Sequence, residues 1–234
     1  MDAGPPEPGR AGRLFVVATP IGNLEDLTFR ALRILGEVEA IACEDTRTTL
    51  KLLTKYGLKK RLISYFHPHE NRKIPEILGL LRSGKDIALV SDAGTPGISD
   101  PGFPLIRECL KAGIRVVPVP GPSALTAALC ASGLPTHRFL FLGFPPPKRS
   151  GRRKLLESIS REPSTLIFYL PARKIWEFLA DIQEILGTRR IVIAREISKI
   201  HEEFIRGTAA ELDSELKAKS IRGEVTVGIE GFRL

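Results

Sequence analysis

The stretch ALVSDAGTPGISDPG, residues 88–102, decides the fold. A short apolar run stops abruptly in a segment that holds Gly94, Gly97, Gly102, Pro96 and Pro101, with carboxylates at Asp92 and Asp100. An apolar run closed by Gly and Pro reads as a buried strand. A phosphate cradle is the first reading of the loop beyond it. The segment argues against that: it has no G-x-x-x-x-G-K-[ST], no G-x-G-x-x-G and no Lys or Arg. Asp92 and Asp100 would repel an anion. Carboxylates on pliant backbone suit a ligand with hydroxyls, amines or positive charge. A tight turn closed by Asx-type hydrogen bonds is the other reading, and the loop alone does not separate the two.

The same alternation of short apolar runs and helical segments extends to both sides. Strands are expected at Leu14–Ala18, Glu39–Cys43, Arg61–Tyr65, Asp86–Ser91 and Ile114–Val119. Helices are expected at Leu27–Leu35, Thr46–Lys55, Glu70–Arg82 (its start delayed toward Pro75) and Phe103–Ala112. Pro118, Pro120 and Pro122 then interrupt the chain, ahead of a small-residue helix over Ala124–Ala131. The second half repeats the pattern. Strands are expected at Phe139–Phe144, Thr165–Leu170, Arg190–Arg195, Glu203–Arg206 and Glu224–Glu230, and helices at Arg152–Ser160, Ile175–Leu186 and Ala209–Lys219. The expected class is therefore α/β, with mostly parallel sheet covered on both faces. The divisions are a tail over 1–12, an N-terminal α/β domain over 13–120 and a C-terminal α/β domain over 121–234. Ligands in such sheets collect beyond the carboxyl ends of strands. Four loops of the first half qualify: Thr19–Asp26, Cys43–Arg47, Asp92–Gly102 and Gly121–Ser123.

Composition narrows the class. The chain has 234 residues and is 43% hydrophobic, enough for a substantial core. No apolar run approaches the roughly 20 residues of a membrane span, so no membrane partner is expected. The opening MDAGPPEPGRAGR lacks the apolar segment of a secretion signal. Cys43, Cys109 and Cys130 are scattered, which suits a reducing cytoplasm. The net charge of +8 fits a polyanionic partner. Lys148, Arg149, Arg152, Arg153 and Lys154 follow a Pro-rich lead, and are expected on an exposed loop touching a phosphate backbone. Lys59, Lys60 and Arg61 form a weaker group. His67 and His69 lack a third ligand, so no metal is expected. Trp176 lies among Ile175, Leu179 and Ile182 and reads as core.

In CEDTR, residues 43–47, Asp45 or Thr46 reads as a helix N-cap. Arg47 is a cation at the positive end of a helix, which calls for a ligand or a carboxylate partner.

TPIGNLEDLTFRAL (19–32), CEDTR, SDAGTPGISDPG (91–102), PGPSAL (120–125) and ASGLPTHRFLFLGF (131–144) together resemble the ribosomal RNA small subunit methyltransferase I family, a tetrapyrrole-methylase-like class. The likeness runs on through RRKLL, RGT and GE, over about Leu14 to Gly231. It implies two α/β domains with S-adenosylmethionine in a cleft between them, in a cytoplasmic homodimer. It also implies 2′-O-methylation of a cytidine ribose in the decoding region of small-subunit RNA, free or assembled. Carried over by motif, Pro20, Asp92, Gly94, Thr95, Ser123 and Ala124 are cofactor positions. Leu170, Ala194 and Thr226 follow by their place in second-half strands. Asp45 and Asp100 are the candidate bases, with Arg47 and Asn23 positioning the nucleotide. Where relatives read Glu-Ser-Pro-x-Arg, this chain has Leu170-Pro171-Ala172-Arg173, and many relatives run longer at the C-terminus. A methylase of a small tetrapyrrole and a non-catalytic RNA-binding assembly factor are the competing readings. The basic loop favours RNA over the first. Affinity for S-adenosylmethionine would separate the enzyme from the second.

Overall fold

The structure, a computed structural model, describes residues 11–216 and 223–233. Most of the expected tail and residues 217–219 of the last expected helix lie outside them. The chain divides into two compact units, Met1–Ser123 and Ala124–Leu234.

The first unit runs β1 (Leu14–Val17), α1 (Phe29–Glu37), β2 (Ala40–Cys43), α2 (Thr46–Lys55), β3 (Arg61–Ser64), α3 (Glu70–Arg82), β4 (Ile87–Val90), α4 (Phe103–Lys111) and β5 (Val116–Val119). Its sheet has the order β3-β2-β4-β1-β5, and every pair is parallel. The chain first steps from β1 toward β3, then returns toward β5. Right-handed crossovers must change face when the direction reverses. They do: α1 and α2 pack Ala31, Ile34, Leu35, Leu52 and Leu53 against Phe15, Val17, Ile41 and Val90 on one face. On the other, Ile74, Ile77 and Leu81 of α3 and Leu105 and Cys109 of α4 cover Leu14, Ala42, Ile87 and Leu89. The strands AIAC and IALV are buried along their whole length, as parallel strands between two helical layers must be.

Two local expectations change. α3 begins at Glu70, not at Pro75, which sits inside the helix. One lost backbone bond is offset by the buried stripe Ile74, Ile77 and Leu81. β5 tolerates Pro118 because it is an edge strand. Leu14 N–H donates to Arg115 O, and Ala18 N–H to Val119 O, so alternate residues from 115 face β1. Pro118 therefore turns its missing N–H to the outer edge.

The second unit holds α5 (Ala124–Ser132), β6 (Phe139–Gly143), α6 (Arg149–Ser158), β7 (Thr165–Pro171), α7 (Ile175–Ile185), β8 (Ile191–Arg195), β9 (Glu203–Gly207), α8 (Ala209–Leu216) and β10 (Glu224–Ile229). Here the expectation of mostly parallel sheet fails. The order is β6-β7-β10-β8-β9; only β6 and β7 run parallel, and the other pairs are antiparallel. β8 and β9 are joined by a short connection with positive φ at Glu196 and Ser198, a reversal rather than a crossover. β10 then enters the centre of the sheet, buried from Val225 to Ile229. α6, α7 and α8 cover one face through Leu156, Phe178, Ile182 and Leu212 over Phe168, Ile193 and Val227. Trp176 is only partly buried against this cluster.

The basic loop is also corrected. Residues 149–158 form α6, and Arg152 is buried. Its Nε donates to Asp181 Oδ2 at 2.6 Å, and its Nη1 lies 3.3 Å from Glu177. Arg149 reaches Asp181 Oδ1 at 3.3 Å, and Arg153 pairs with Asp181 and Glu184. The Pro-rich lead ends sooner than expected because three arginines of α6 are matched by three acids of α7. Of the five basic residues, Lys148 and Lys154 alone lack an ion pair among the described residues. The weaker group thins in the same way: Lys60 donates to Val38 O, Arg61 pairs with Glu76, and among the described residues Lys59 makes no ion pair.

Candidate active site

The carboxyl ends of β1, β2, β4 and β5 lie side by side, so the four loops named above meet on one edge of the first sheet. β4 feeds a helix on one face, while its neighbours β1 and β2 feed helices on the other. Loops that part in this way leave a crevice at the carboxyl end. Thr19 and Gly94 bind their loops together with reciprocal backbone bonds, Thr19 N–H to Gly94 O at 2.8 Å and Gly94 N–H to Thr19 O at 3.0 Å. Thr19 Oγ1 donates to Ser91 O at 3.1 Å. Gly94 has φ +89°, a conformation that costs other L-residues energy. Thr95 Oγ1 lies 3.4 Å from Pro122 O, which joins the β4 and β5 loops. A Cβ on Gly121 would stand 3.0 Å from Ala18 Cβ, so only glycine lets these chains approach so closely. Pro20 is buried beside this junction.

The carboxylates cluster on the same edge. Asp92 Oδ1 accepts a bond from Asp45 N–H at 3.0 Å. Solvent reaches the Asp92 side chain, yet partial desolvation among the loops pushes its pKa up; Asp45 N–H pulls the other way. Asp45 is the N-cap of α2. Its Oδ1 takes Arg47 N–H at 2.8 Å, and its carboxylate holds the Arg47 guanidinium through Nε and Nη2, at 2.7 Å for the latter. Arg47 thus has a carboxylate partner, and its side-chain and backbone bonds hold Asp45 down at about 2. A carboxylate that low is a feeble proton acceptor at neutral pH. Glu44, half-buried next to it, is the opposite case. Burial raises its pKa first, and the charges of Asp92 and Asp100 raise it further. Sequence reasoning passed over Glu44; its signal was position alone, the first residue past an apolar strand. Asp100 is part of the same electrostatic cluster. Asn23 has a local duty, its Oδ1 taking Glu25 N–H at 3.1 Å to cap a 3-10 turn.

The Asp45 cap gives a pH test. Its pKa is depressed in the fold, so its contribution to stability is complete above the ordinary aspartate range and disappears as pH falls through about 2. Asp45→Ala should therefore lower the melting temperature at pH 7, with the gap from the parent closing in acid. A gap that does not vary with pH would overturn this account.

The second-unit candidates separate. Ala194 and Thr226 are cross-strand partners whose side chains share a face with Ile167, Val192 and Gly228, lining a narrow space beneath Ala128 and Ser132 of α5. Leu170 points the other way, into the core under α6 to α8, so its side chain does not join them. Tyr169 takes that place, its hydroxyl accepting Leu125 N–H at 3.0 Å and its ring set edge-to-face on Phe141 and Phe144. Ser123 and Ala124 stand at the boundary of the two units, Ala124 opening α5.

Comparison with known proteins gives the family and the fold. Residues 13–213 match the family of tetrapyrrole (corrin/porphyrin) methylases. Ribosomal RNA small subunit methyltransferase I of Thermotoga maritima is 49% identical, over 94% of this chain and 99% of its own. The chain belongs to the ribosomal RNA small subunit methyltransferase I family. The relative of the same name from Pseudomonas aeruginosa is 48% identical, over 95% of this chain and 80% of its own. Among solved structures, the cobalt precorrin-4 methyltransferase CbiF superimposes with TM-score 0.70 at 16% identity, over 93% of this chain and 94% of its own. Uroporphyrin-III C-methyltransferase of Thermus thermophilus, complexed with S-adenosylhomocysteine, gives TM-score 0.65 at 21% identity, over 94% of this chain and 97% of its own. Both place the methyltransferase I chain in the tetrapyrrole-methylase fold. Among the described residues no helix is long and apolar enough to cross a membrane, and no three His, Cys, Asp or Glu are grouped to hold a metal.

Proposed function

We propose that this chain is an S-adenosylmethionine-dependent enzyme that methylates the ribose 2′-oxygen of a cytidine in the decoding region of small-subunit ribosomal RNA, acting as a cytoplasmic homodimer. The observation that carries the reading is the Asp92 carboxylate, held by Asp45 N–H on an acidic loop edge, in a chain 49% identical to a ribosomal RNA methyltransferase.

The donor set fits the cofactor. A sulfonium, an ammonium and ribose hydroxyls call for carboxylates and open backbone, and the edge offers Asp92, Gly94, Thr95 and the close Gly121–Ala18 approach. Pro20 and Ser123 are the further candidate positions of the first unit, and Ala124, Ala194 and Thr226 those of the second. When bound, S-adenosylmethionine supplies an activated methyl on sulfur for a single displacement. The protein's share is alignment and proton removal. A ribose hydroxyl attacks well only as its proton leaves, and Glu44 is the acceptor, in place of Asp45. Its pKa, raised by partial burial and by the charges of Asp92 and Asp100, is nearer working pH. Asp100 sustains that shift. Arg47, anchored by Asp45, positions the nucleotide, with Asn23 at the adjoining loop.

Two measurements test the reading. Labelled S-adenosylmethionine is offered with naked small-subunit RNA and with assembled subunits, and the label is mapped to nucleotide and atom. Label on one ribose 2′-oxygen supports it; label on a base or on a porphyrinoid alone overturns it. Asp92→Asn keeps an oxygen for Asp45 N–H and removes the charge. Affinity for S-adenosylmethionine, read by calorimetry, should fall about 10- to 100-fold, the worth of a charged hydrogen bond. Because the Asp92 pKa is raised, parent affinity should weaken as pH drops toward the carboxylate range, and the variant should not follow it.

A further inference from the structure

α2 begins at the acidic edge and runs away from it along the outside of the first unit. Its buried residues are Thr49, Leu52 and Leu53. Arg47, Lys51 and Lys55 recur every fourth position on the opposite side, all exposed. Successive members rise about 6 Å along the axis and drift only about 40° around it. Such spacing is on the scale of neighbouring phosphates in a nucleic-acid strand. The helix carries no acidic residue, and among the described residues Lys51 and Lys55 make no ion pair. This sets them apart from the arginines of α6, which are matched by the acids of α7. Much of the positive charge that the sequence concentrates at 148–154 is therefore matched by acids of the neighbouring helix.

We infer that the outer face of α2 is a docking track for the RNA substrate, with Lys51 and Lys55 each taking one phosphate and Arg47 handing the strand to the catalytic edge. The inference rests on the reading of RNA as substrate. It assigns the contact to a helix the sequence marks only by three separated cations, rather than to the dense Lys148–Lys154 cluster. Phosphate contacts set register and affinity without reading bases, which suits a track leading to one target ribose.

The test is the double variant Lys51→Ala/Lys55→Ala against a charge-matched control, Arg82→Ala/Arg115→Ala, whose exposed arginines lie at the opposite edge of the sheet. Binding of small-subunit RNA is measured over a range of salt, together with S-adenosylmethionine affinity, melting temperature and oligomeric state. The α2 variant should bind RNA about tenfold more weakly at low salt. Its log–log salt slope should be shallower by about 1.5 to 2, since each lost phosphate contact removes about one unit or slightly less. KM for RNA should rise, with S-adenosylmethionine affinity and melting temperature unchanged. An α2 variant matching the parent in affinity and slope, or the control falling equally, overturns the track. A change of oligomeric state without loss of RNA affinity overturns it too, and makes the face an interface between copies. If the parent itself neither binds nor methylates the RNA while binding S-adenosylmethionine, the substrate reading fails first and takes the track with it.

Discussion

Glu44→Gln should lower kcat by about 10²- to 10⁴-fold, the usual worth of a positioned general base, while S-adenosylmethionine still binds. The amide matches the carboxylate in size but cannot take a proton. Folding should not suffer. In the native protein burial and the charges of Asp92 and Asp100 disfavour ionised Glu44, so a neutral side chain relieves that cost, and the melting temperature at pH 7 should hold or rise. The parent should gain activity as pH rises through the elevated Glu44 pKa. Asp100→Asn removes one of the charges that raise it, so the acidic limb of its kcat profile should move to lower pH with the plateau retained. Asp45→Ala separates the roles: a carboxylate at about 2 is not the base, so its loss should fall mainly on the affinity for RNA. Full turnover in Glu44→Gln, with collapse in Asp100→Asn, would transfer the proton to Asp100.

Asp181→Ala should cost about 3–5 kcal/mol of stability, because buried Arg152 then loses its one buried partner and keeps only the solvent-exposed Glu177. Arg152 and Asp181 are both sealed from solvent, with 3% and 0% of their side chains exposed, and lie 2.6 Å apart. For a protein of this size the loss amounts to roughly 6–20 °C in melting temperature. Arg152→Ala should cost less, because Arg149 and Arg153 still reach Asp181 from the rim. A paired Arg152→Met/Asp181→Leu substitution, which buries no charge, should recover most of the stability. Thermal denaturation of the three variants is the measurement. A single Asp181→Ala that melts with the parent would show the pair to be dispensable.

These two residues mark where the sequence could be read and where it could not. The first unit was legible because buried parallel strands such as IALV and Gly-closed helices such as α2 announce themselves by composition and local chemistry. The second was not, since alternation of strand and helix says nothing of strand direction. That β10 would lie antiparallel between β7 and β8 depends on long-range pairing. The site shows the same division. Asp92 and Asp45 could be singled out as candidates because their loops carry dense punctuation. Glu44 was passed over because its raised pKa arises first from burial among the loops and then from carboxylates 48 and 56 positions away, at Asp92 and Asp100. Arg152 misled because a cation's partner lies on another helix. A row of basic letters gives charge content but not the field it projects. Leu170 shows a limit of another kind: a one-residue step along a strand reverses the face, so its side chain lies in the core while Tyr169 shares the face of Thr226 and Ala194.

Pro118 has a consequence outside the finished molecule. A parallel sheet is a template, and an uncapped last strand invites the next chain to continue it. The ring nitrogen of Pro118 removes a donor from the row that an incoming chain would need. At this edge, β5 is thus a poor template for a second copy of the chain. The strand beside the candidate loops stays a boundary, and Gly121 and Pro122 can follow it without competition from a neighbour's backbone.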